Sequence, residues 1–268
     1  MLTAEDLVTE GVLTVGLQIA EVSAPLVVTG TSGNIYGIDI DFASALADHL
    51  GLKVLFVPVN DIDYSLESGL CDIVLDAKNS HVGTSVVVEG SYYESTIGFF
   101  GPGEQQLATV DDLQGRLVGM QEGSVSENAL DRTGLNMMPR LYFNLNEAFE
   151  ALDQREVDYV LCEAYSGAYL AAAYDNVSFA GALTDITNVG VAVSADNANL
   201  QRAVQDAVTT VTSDGSMDII RSVWVAGMPE ITEQDAIVNV PIREGAVPQS
   251  TSTTGQNGSS AGANAVIL

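Results

Sequence analysis

Positive charge is what this chain has least of. Its 268 residues include 9 Lys+Arg against 36 Asp+Glu, a formal net charge of −27. Only Lys53 and Lys78 are lysines. Charged residues total 17%, below the ~25% usual for soluble domains, so the imbalance comes from missing base and not from added acid. Without a basic footprint the chain is poorly equipped to displace the counterions of a nucleic acid or to sit on anionic lipid. Histidine is scarce as well. His49 and His81 are the only two, which excludes HExxH and most histidine-based catalysis and metal binding. The two cysteines, Cys71 and Cys162, are not spaced as CxxC and read as buried free thiols. GxSxG, Walker A and GxGxxG motifs are all missing. No run of about 18 apolar residues suggests a membrane span. The opening MLTAEDLVTEG has neither the basic nor the apolar region of a signal peptide.

What is present is material for a core. Apolar residues are 47% of the chain, and the length suits one large domain or two modest ones. VLTVGL (12–17), KVLFVPV (53–59) and CDIVLDA (71–77) read as short buried strands. Between the first two, Phe42, Leu46 and Leu50 recur every fourth residue, with Ala43 and Ala47 beside them, which predicts a helix. Asp39 or Asp41 is placed to cap it, and Gly51 stands where a C-terminal cap glycine belongs. A short helix is expected over 64–68. The pattern returns with strands at 115–121 and 157–164, helices at 124–132 and 146–154, and a helical Ala- and Tyr-rich segment after the second strand. A further strand at 189–194 precedes helices at 199–211 and 216–224. Such β/α alternation predicts mainly parallel sheets with crossover helices. SLESGLCDIVLDA (65–77) also lies over ALDQREVDYVLCE (151–163) without gaps, matching Asp72 to Asp158 and Leu75 to Leu161, a faint sign of two similar halves. From about 230 the pattern fades, and 248–265 is a Ser/Thr/Gly-rich stretch that reads as a flexible linker or tail.

Few residues suggest chemistry. Ser124-Val125-Ser126-Glu127 follows Gly123 and opens a helix, an S-x-x-E capping box whose free N–H groups also suit an anion. Open α/β sheets bind ligands at the carboxyl ends of their strands. Two strands end in polar groups: Asp76-Ala77-Lys78-Asn79 and Cys162-Glu163. Carboxylate pairs such as Asp61/Asp63 and Asp111/Asp112 read as turns and caps. Of the pair Tyr92-Tyr93, one ring is expected in the core and the other facing a pocket.

Taken in order, VLTVGL, YGIDIDFASALADHLGLKVLFVPV, SLESGLCDIVL, SYYES, VDDLQGRLVGMQEGSVSENAL, NEAFEALDQREVDYVLCEA, GVAVS, NLQRAVQDAV and SDGSMDIIRSVW carry a resemblance over about residues 8–226. The chain resembles the extracytoplasmic solute-binding proteins of polar amino-acid ABC transporters. The resemblance implies an α/β fold of type II periplasmic-binding-protein architecture, with two Rossmann-like lobes joined by two hinge strands. Lobe 1 would be residues 1–97 and 190–230, lobe 2 would be 98–189, and 231–268 an extension ending in the low-complexity tail. A small-molecule ligand would be gripped between the lobes and handed to an ABC permease by a monomeric, non-enzymatic receptor outside the cytoplasm, its export signal absent from this sequence. No cofactor or metal is implied.

The resemblance also implies roles for residues. Gly123, Ser124, Val125 and Ser126, with Gln121 just before them, would hold a ligand carboxylate. Glu163 would pair with its ammonium. Asp76, Ala77, Lys78 and Asn79 would line the cleft from lobe 1. Ser23 stands where the family has an aromatic, and no arginine precedes Arg116 to clamp a carboxylate, which leaves Lys78 as the nearby cation. Asp76 beside Glu163 makes an acidic cleft compatible with a cationic ligand. A ligand-sensing domain of a signalling receptor and a cyclohexadienyl dehydratase-like enzyme are the alternative readings.

Overall fold

The computed structural model describes residues 2–18, 24–103 and 107–243. Ser23 lies outside the described residues. Two five-stranded sheets form two lobes. In lobe 1, β1 (Val12–Leu17) is the hub. It pairs in parallel with β4 (Lys53–Pro58) and β5 (Ile73–Ala77). Strands β6 (Val86–Ser95) and β12 (Thr187–Ser194) complete the order β4-β1-β5-β12-β6, with β12 antiparallel to both neighbours. In lobe 2, β8 (Leu117–Gln121) lies parallel to β9 (Met138–Tyr142) and β10 (Tyr159–Glu163). The order is β11-β7-β10-β8-β9, where β7 (Ile97–Pro102) is antiparallel to β10 and β11 (Val177–Ala182) is antiparallel to β7. Each lobe therefore has three parallel strands, an antiparallel strand entering from the other lobe, and one outer strand. A two-stranded ribbon, β2 (Val28–Thr29) with β3 (Ile35–Tyr36), sits beside lobe 1's first helix in the chain.

The helices form where the apolar spacing calls for them. Helix α1 (Ile38–Leu50) buries Phe42, Ala43, Leu46 and Ala47, and Gly51 ends it in the left-handed conformation at φ 70°. Its start differs from the sequence expectation. The N-cap is Gly37, with no side-chain cap. Gly37 is at φ +135°, and a Cβ there would come within 2.1 Å of the Leu26 carbonyl. Neither Asp39 nor Asp41 caps. Asp39 is fully buried, and Asp41 accepts the Trp224 indole N–H at 2.7 Å. Helix α2 (Ile62–Glu67) is capped by Asp61, and α3 (Val110–Leu113) by a Thr109/Asp112 box. Helices α4 (Val125–Asp131), α5 (Leu145–Asp153) and α6 (Ala164–Ala171) cover lobe 2, while α7 (Ala198–Ser213) and α8 (Ser216–Trp224) pack on lobe 1. The lobe 1 core joins Leu13, Val15, Phe42, Ile73, Val204 and Val208; lobe 2 buries Phe100, Phe149, Val160 and Phe179 on one side of its sheet and Phe99, Val118, Met120 and Leu161 on the other. Cys71 and Cys162 are both free and buried.

The chain crosses between lobes at Thr96, between β6 and β7, and again between β11 and β12. The two crossings are bonded to each other. Thr96 Oγ1 lies 2.9 Å from the Thr184 carbonyl, and the Ile97 N–H donates to Thr184 Oγ1 at 2.9 Å. A third segment returns after α8. Ile237 N–H donates to the Ala182 carbonyl at 2.9 Å, Gly134 N–H to Pro241 at 2.6 Å, and Arg243 N–H to Arg132 at 3.0 Å. The extension starts against lobe 1, where the Ile231 N–H donates to Glu94 at 3.4 Å, and runs along lobe 2 from Ala236 to Arg243. No helix among the described residues is long and apolar enough to cross a membrane.

Candidate functional site

The carboxyl ends of β5, β8 and β10 carry most of the residues that the sequence singles out. Parallel pairing of Val118 with Tyr159 and Gly119 with Val160 runs β8 and β10 out at the same edge of lobe 2. Gln121 ends one and Glu163 the other. Glu163 is also the N-cap of α6, where its Oε2 accepts the Ser166 N–H at 2.9 Å. Its Oε1 is buried and has no partner. Burial raises the Glu163 carboxyl above its ordinary range, opposed by the Ser166 and Tyr165 N–H groups and by the Lys78 charge. That Lys78 acts on Glu163 ties the lobe 1 strand end to lobe 2. The Lys78 ammonium donates to Ser95 Oγ at 3.0 Å, beside the crossing.

Asp76 is held in a left-handed conformation, φ 55°, which non-glycine residues adopt only when their surroundings enforce it. Here two tyrosines do so. Asp76 N–H donates to the Tyr92 hydroxyl at 3.1 Å, and the Tyr93 hydroxyl donates to the Asp76 carboxylate. Tyr92 in turn donates to Asp39 Oδ1 at 2.7 Å and stacks on Phe42, with ring centroids 4.2 Å apart. Burial pushes the Asp39 carboxyl up to about 8, the Tyr92 bond opposing and the Asp76 charge adding. Both tyrosines are buried, so the expected division into a core ring and a pocket ring does not hold. Tyr93 instead joins the lobes, its ring edge-on to Tyr165 of α6 at 5.1 Å. A second link is Ser166 Oγ donating to the Ala24 carbonyl at 3.0 Å.

The turn at 121–126 departs from its expected form. Ser124 is the N-cap of α4, yet its side chain makes no capping bond, and its buried Oγ has no partner. Glu127 reaches past Ser124 and accepts the Gly123 N–H. The box is displaced by one residue, and one of the N–H groups expected to face an anion, that of Gly123, already holds a carboxylate. Val125 is exposed and Ser126 buried. On the lobe 1 side, Ala77 is fully buried and pairs with Gly190, while Asn79 opens an exposed single turn, Asn79–His81. The structure therefore brings Asp76, Lys78 and Glu163 around the crossing, whereas Ala77 offers no side chain to a ligand. Sequence reasoning singled out the Tyr92-Tyr93 pair but missed Asp39, Ser95 and Tyr165 as residues around the site. A cavity of about 600 Å³ lies elsewhere, lined in part by Asp6, Asp72, Asn197 and Asn199. Asp6 is already bonded to Thr3 and Asn199, and Asp72 to backbone N–H groups, so that cavity is a poor candidate. Among the described residues no cluster of His, Cys, Asp or Glu is placed to hold a metal ion.

A model of the bacterial extracellular solute-binding proteins, family 3, matches residues 13–227, well over half of the chain. The chain belongs to that family. The L-cystine-binding protein TcyJ of Escherichia coli (strain K12) is 25% identical over 225 residues, covering 80% of this chain and 82% of that protein. The membrane-bound lytic murein transglycosylase F of Yersinia pestis (strain Pestoides F) is 23% identical over 214 residues, 75% of this chain but 44% of that protein. A polar amino acid ABC uptake transporter substrate binding protein from Streptococcus thermophilus aligns with a TM-score of 0.73 at 17% identity, covering 83% of this chain and 89% of the other. Its likeness concerns the fold, two lobes of mixed α/β structure, as the sequence resemblance implied.

Proposed function

We propose that this family member captures a small polar solute, an amino acid or a related amine or carboxylate, between its lobes. In this reading it is a monomeric receptor outside the cytoplasm, in the periplasm or anchored at the cell surface, that passes its ligand to an ABC permease. Asp76 and Lys78 would face the ligand from lobe 1, and Gln121, Ser124, Ser126 and Glu163 from lobe 2. The observation that carries this reading is Glu163 Oε1, a buried acceptor with no partner at the strand edge that meets lobe 1. A buried acceptor left unpaired costs about 1–3 kcal/mol, a deficit that a ligand donor would remove. Ligand held between the lobes would favour their closed arrangement, the form a permease can distinguish. The transglycosylase relative is more than twice as long as its matched part, so its name bears on a larger protein. Binding without turnover is the role proposed here.

Thermal shift against amino acids, amines and small carboxylates tests the proposal. A true ligand at about 100 times its Kd adds ~2.7 kcal/mol of stability, several degrees in Tm. No shift with any compound at millimolar concentration would remove it.

A further inference from the structure

Helix α6 of lobe 2 and helix α8 of lobe 1 approach each other between the lobes. Tyr169 and Trp224 face each other there, ring centroids 6.5 Å apart, and Trp224 is fixed to Asp41 of lobe 1. One turn earlier on each helix stand Tyr165 and Arg221. Tyr165 is fully buried. Its Oη has no hydrogen-bond partner among the described residues, and neither has the buried Arg221 Nε. Arg221 is held at its tip, where Nη1 donates to Asp218 at 3.3 Å. The two orphans feel each other. Burial raises the Tyr165 phenol, the Glu94 charge adding to the rise and the Arg221 charge opposing it. Glu94 is the counter-charge of the guanidinium. It is buried, its Oε2 accepts the Ile231 N–H, and Arg221 opposes the rise that burial and the Glu230 charge give its carboxyl.

An acceptor on one lobe and a donor on the other are thus both dry and both unpaired. Each carries a desolvation cost that a bond between them would remove. There is room for the movement. A cavity of about 290 Å³ lies between α6 and the turn after α8, lined in part by Ala168, Ala171, Val225 and Met228. Close-packed interiors leave few voids of that size. Tyr165 also stands two residues past Glu163, and its ring lies against Tyr93, whose hydroxyl holds Asp76. A shift of α6 toward α8 therefore carries Glu163 with it toward lobe 1.

Resting on the solute-binding reading above, we propose that Tyr165 and Arg221 form a latch between the lobes: as the cleft closes, Arg221 Nε–H donates to Tyr165 Oη. Both are positioning residues. They set the balance between open and closed lobes, and through it the affinity at Glu163.

Spin labels test the latch without any ligand. They go on His81→Cys of lobe 1 and Phe143→Cys of lobe 2, both exposed, while Cys71 and Cys162 are buried and stay unlabelled. The label-to-label distances give the ratio of closed to open molecules. Tyr165→Phe should lower that ratio about fivefold, the worth of one net hydrogen bond. Tm should hold or rise, because the hydroxyl removed is unpaired in the arrangement described. Arg221→Met should lower the ratio as well, and Tyr165→Phe added to it should bring no further loss. A purely structural tyrosine would instead lower Tm and leave the distances alone. Distances that are the same in all four proteins, or losses that simply add in the double variant, overturn the latch. Thermal shift with amino acids decides the receptor reading separately, so either idea can fail without the other.

Discussion

Asp72 in lobe 1 and Asp158 in lobe 2 stand just before equivalent strands and make the same connection. Asp72 N–H donates to the Thr14 carbonyl at 2.8 Å, and its carboxylate accepts the Thr14 N–H at 2.6 Å. Asp158 N–H donates to the Leu117 carbonyl at 2.9 Å, and its carboxylate accepts the Leu117 N–H at 2.8 Å. Each aspartate fastens its own strand to the hub strand of its sheet. Their surroundings differ. The N-terminal segment lies over Asp72, adds a bond from Val8 N–H at 2.7 Å and leaves it 5% exposed. Burial raises its carboxyl, with the Thr14 and Val8 N–H groups opposing. Asp158 keeps 40% of its side chain exposed and faces Arg116 at 3.6 Å. One slot in a repeated half thus carries a dry bracket in one lobe and a wet one in the other. The bond pattern is shared, while the energetic weight follows burial.

The comparison can be pressed hardest at Asp72. Asp72→Ala strips an acceptor from two N–H groups and should cost about 3 kcal/mol in denaturant unfolding, against about 1 kcal/mol for Asp158→Ala. Equal losses would break the contrast. The pH dependence of stability should draw on both lobes, since burial raises Asp39 in lobe 1 and Glu163 in lobe 2, with Asp39 the group whose shift gives the largest effect to test. The Asp39 carboxyl is raised to about 8, so the folded chain keeps a proton there that the unfolded chain has released above about pH 4. Stability from this group is therefore full below about pH 4 and is lost as pH rises to about 8. Asp39→Asn should flatten Tm across that window. A residual slope up to about pH 7 should persist from Glu94, which burial raises to about 7. An unchanged profile in Asp39→Asn would place the pH dependence elsewhere. The smallest effect is expected at the surface. Arg116→Ala should change stability by no more than about 0.5 kcal/mol, since its ion pair with Asp158 is solvated.

Much of this fold can be read from residue spacing. Phe42, Leu46 and Gly51 mark one helix and its end because period and cap act locally. The Asp72/Asp158 correspondence was legible because both residues answer the same backbone geometry. Strands β9 and β11 were not marked. The first, MPRLY, is a largely exposed edge without alternation, and the second contains the bulge around Gly181. Residues 225–243 gave no pattern because they bind at isolated backbone points, which impose no periodicity. At the site, Ser124 and Glu127 had capping spacing, but only three-dimensional geometry shows the bond moved to Gly123. Asp39 looked like a cap because an acid in a first helical turn ordinarily is one. Its role depends on Gly37 seating α1 tightly against Leu26 and on Tyr92 arriving from a distant strand.

The bond between Thr96 and Thr184 has a mechanical consequence. Two separate crossings could slide past each other like loose cords. Fastened side by side, they act as a single ribbon that flexes across its width and resists shear. The return segment, bonded at Glu94 and Ala182, passes beside that ribbon as a third strand of the crossing and is tied farther out at Thr133 and Arg132. Any swing of one lobe must carry all three together, which leaves fewer ways for the cleft to shut.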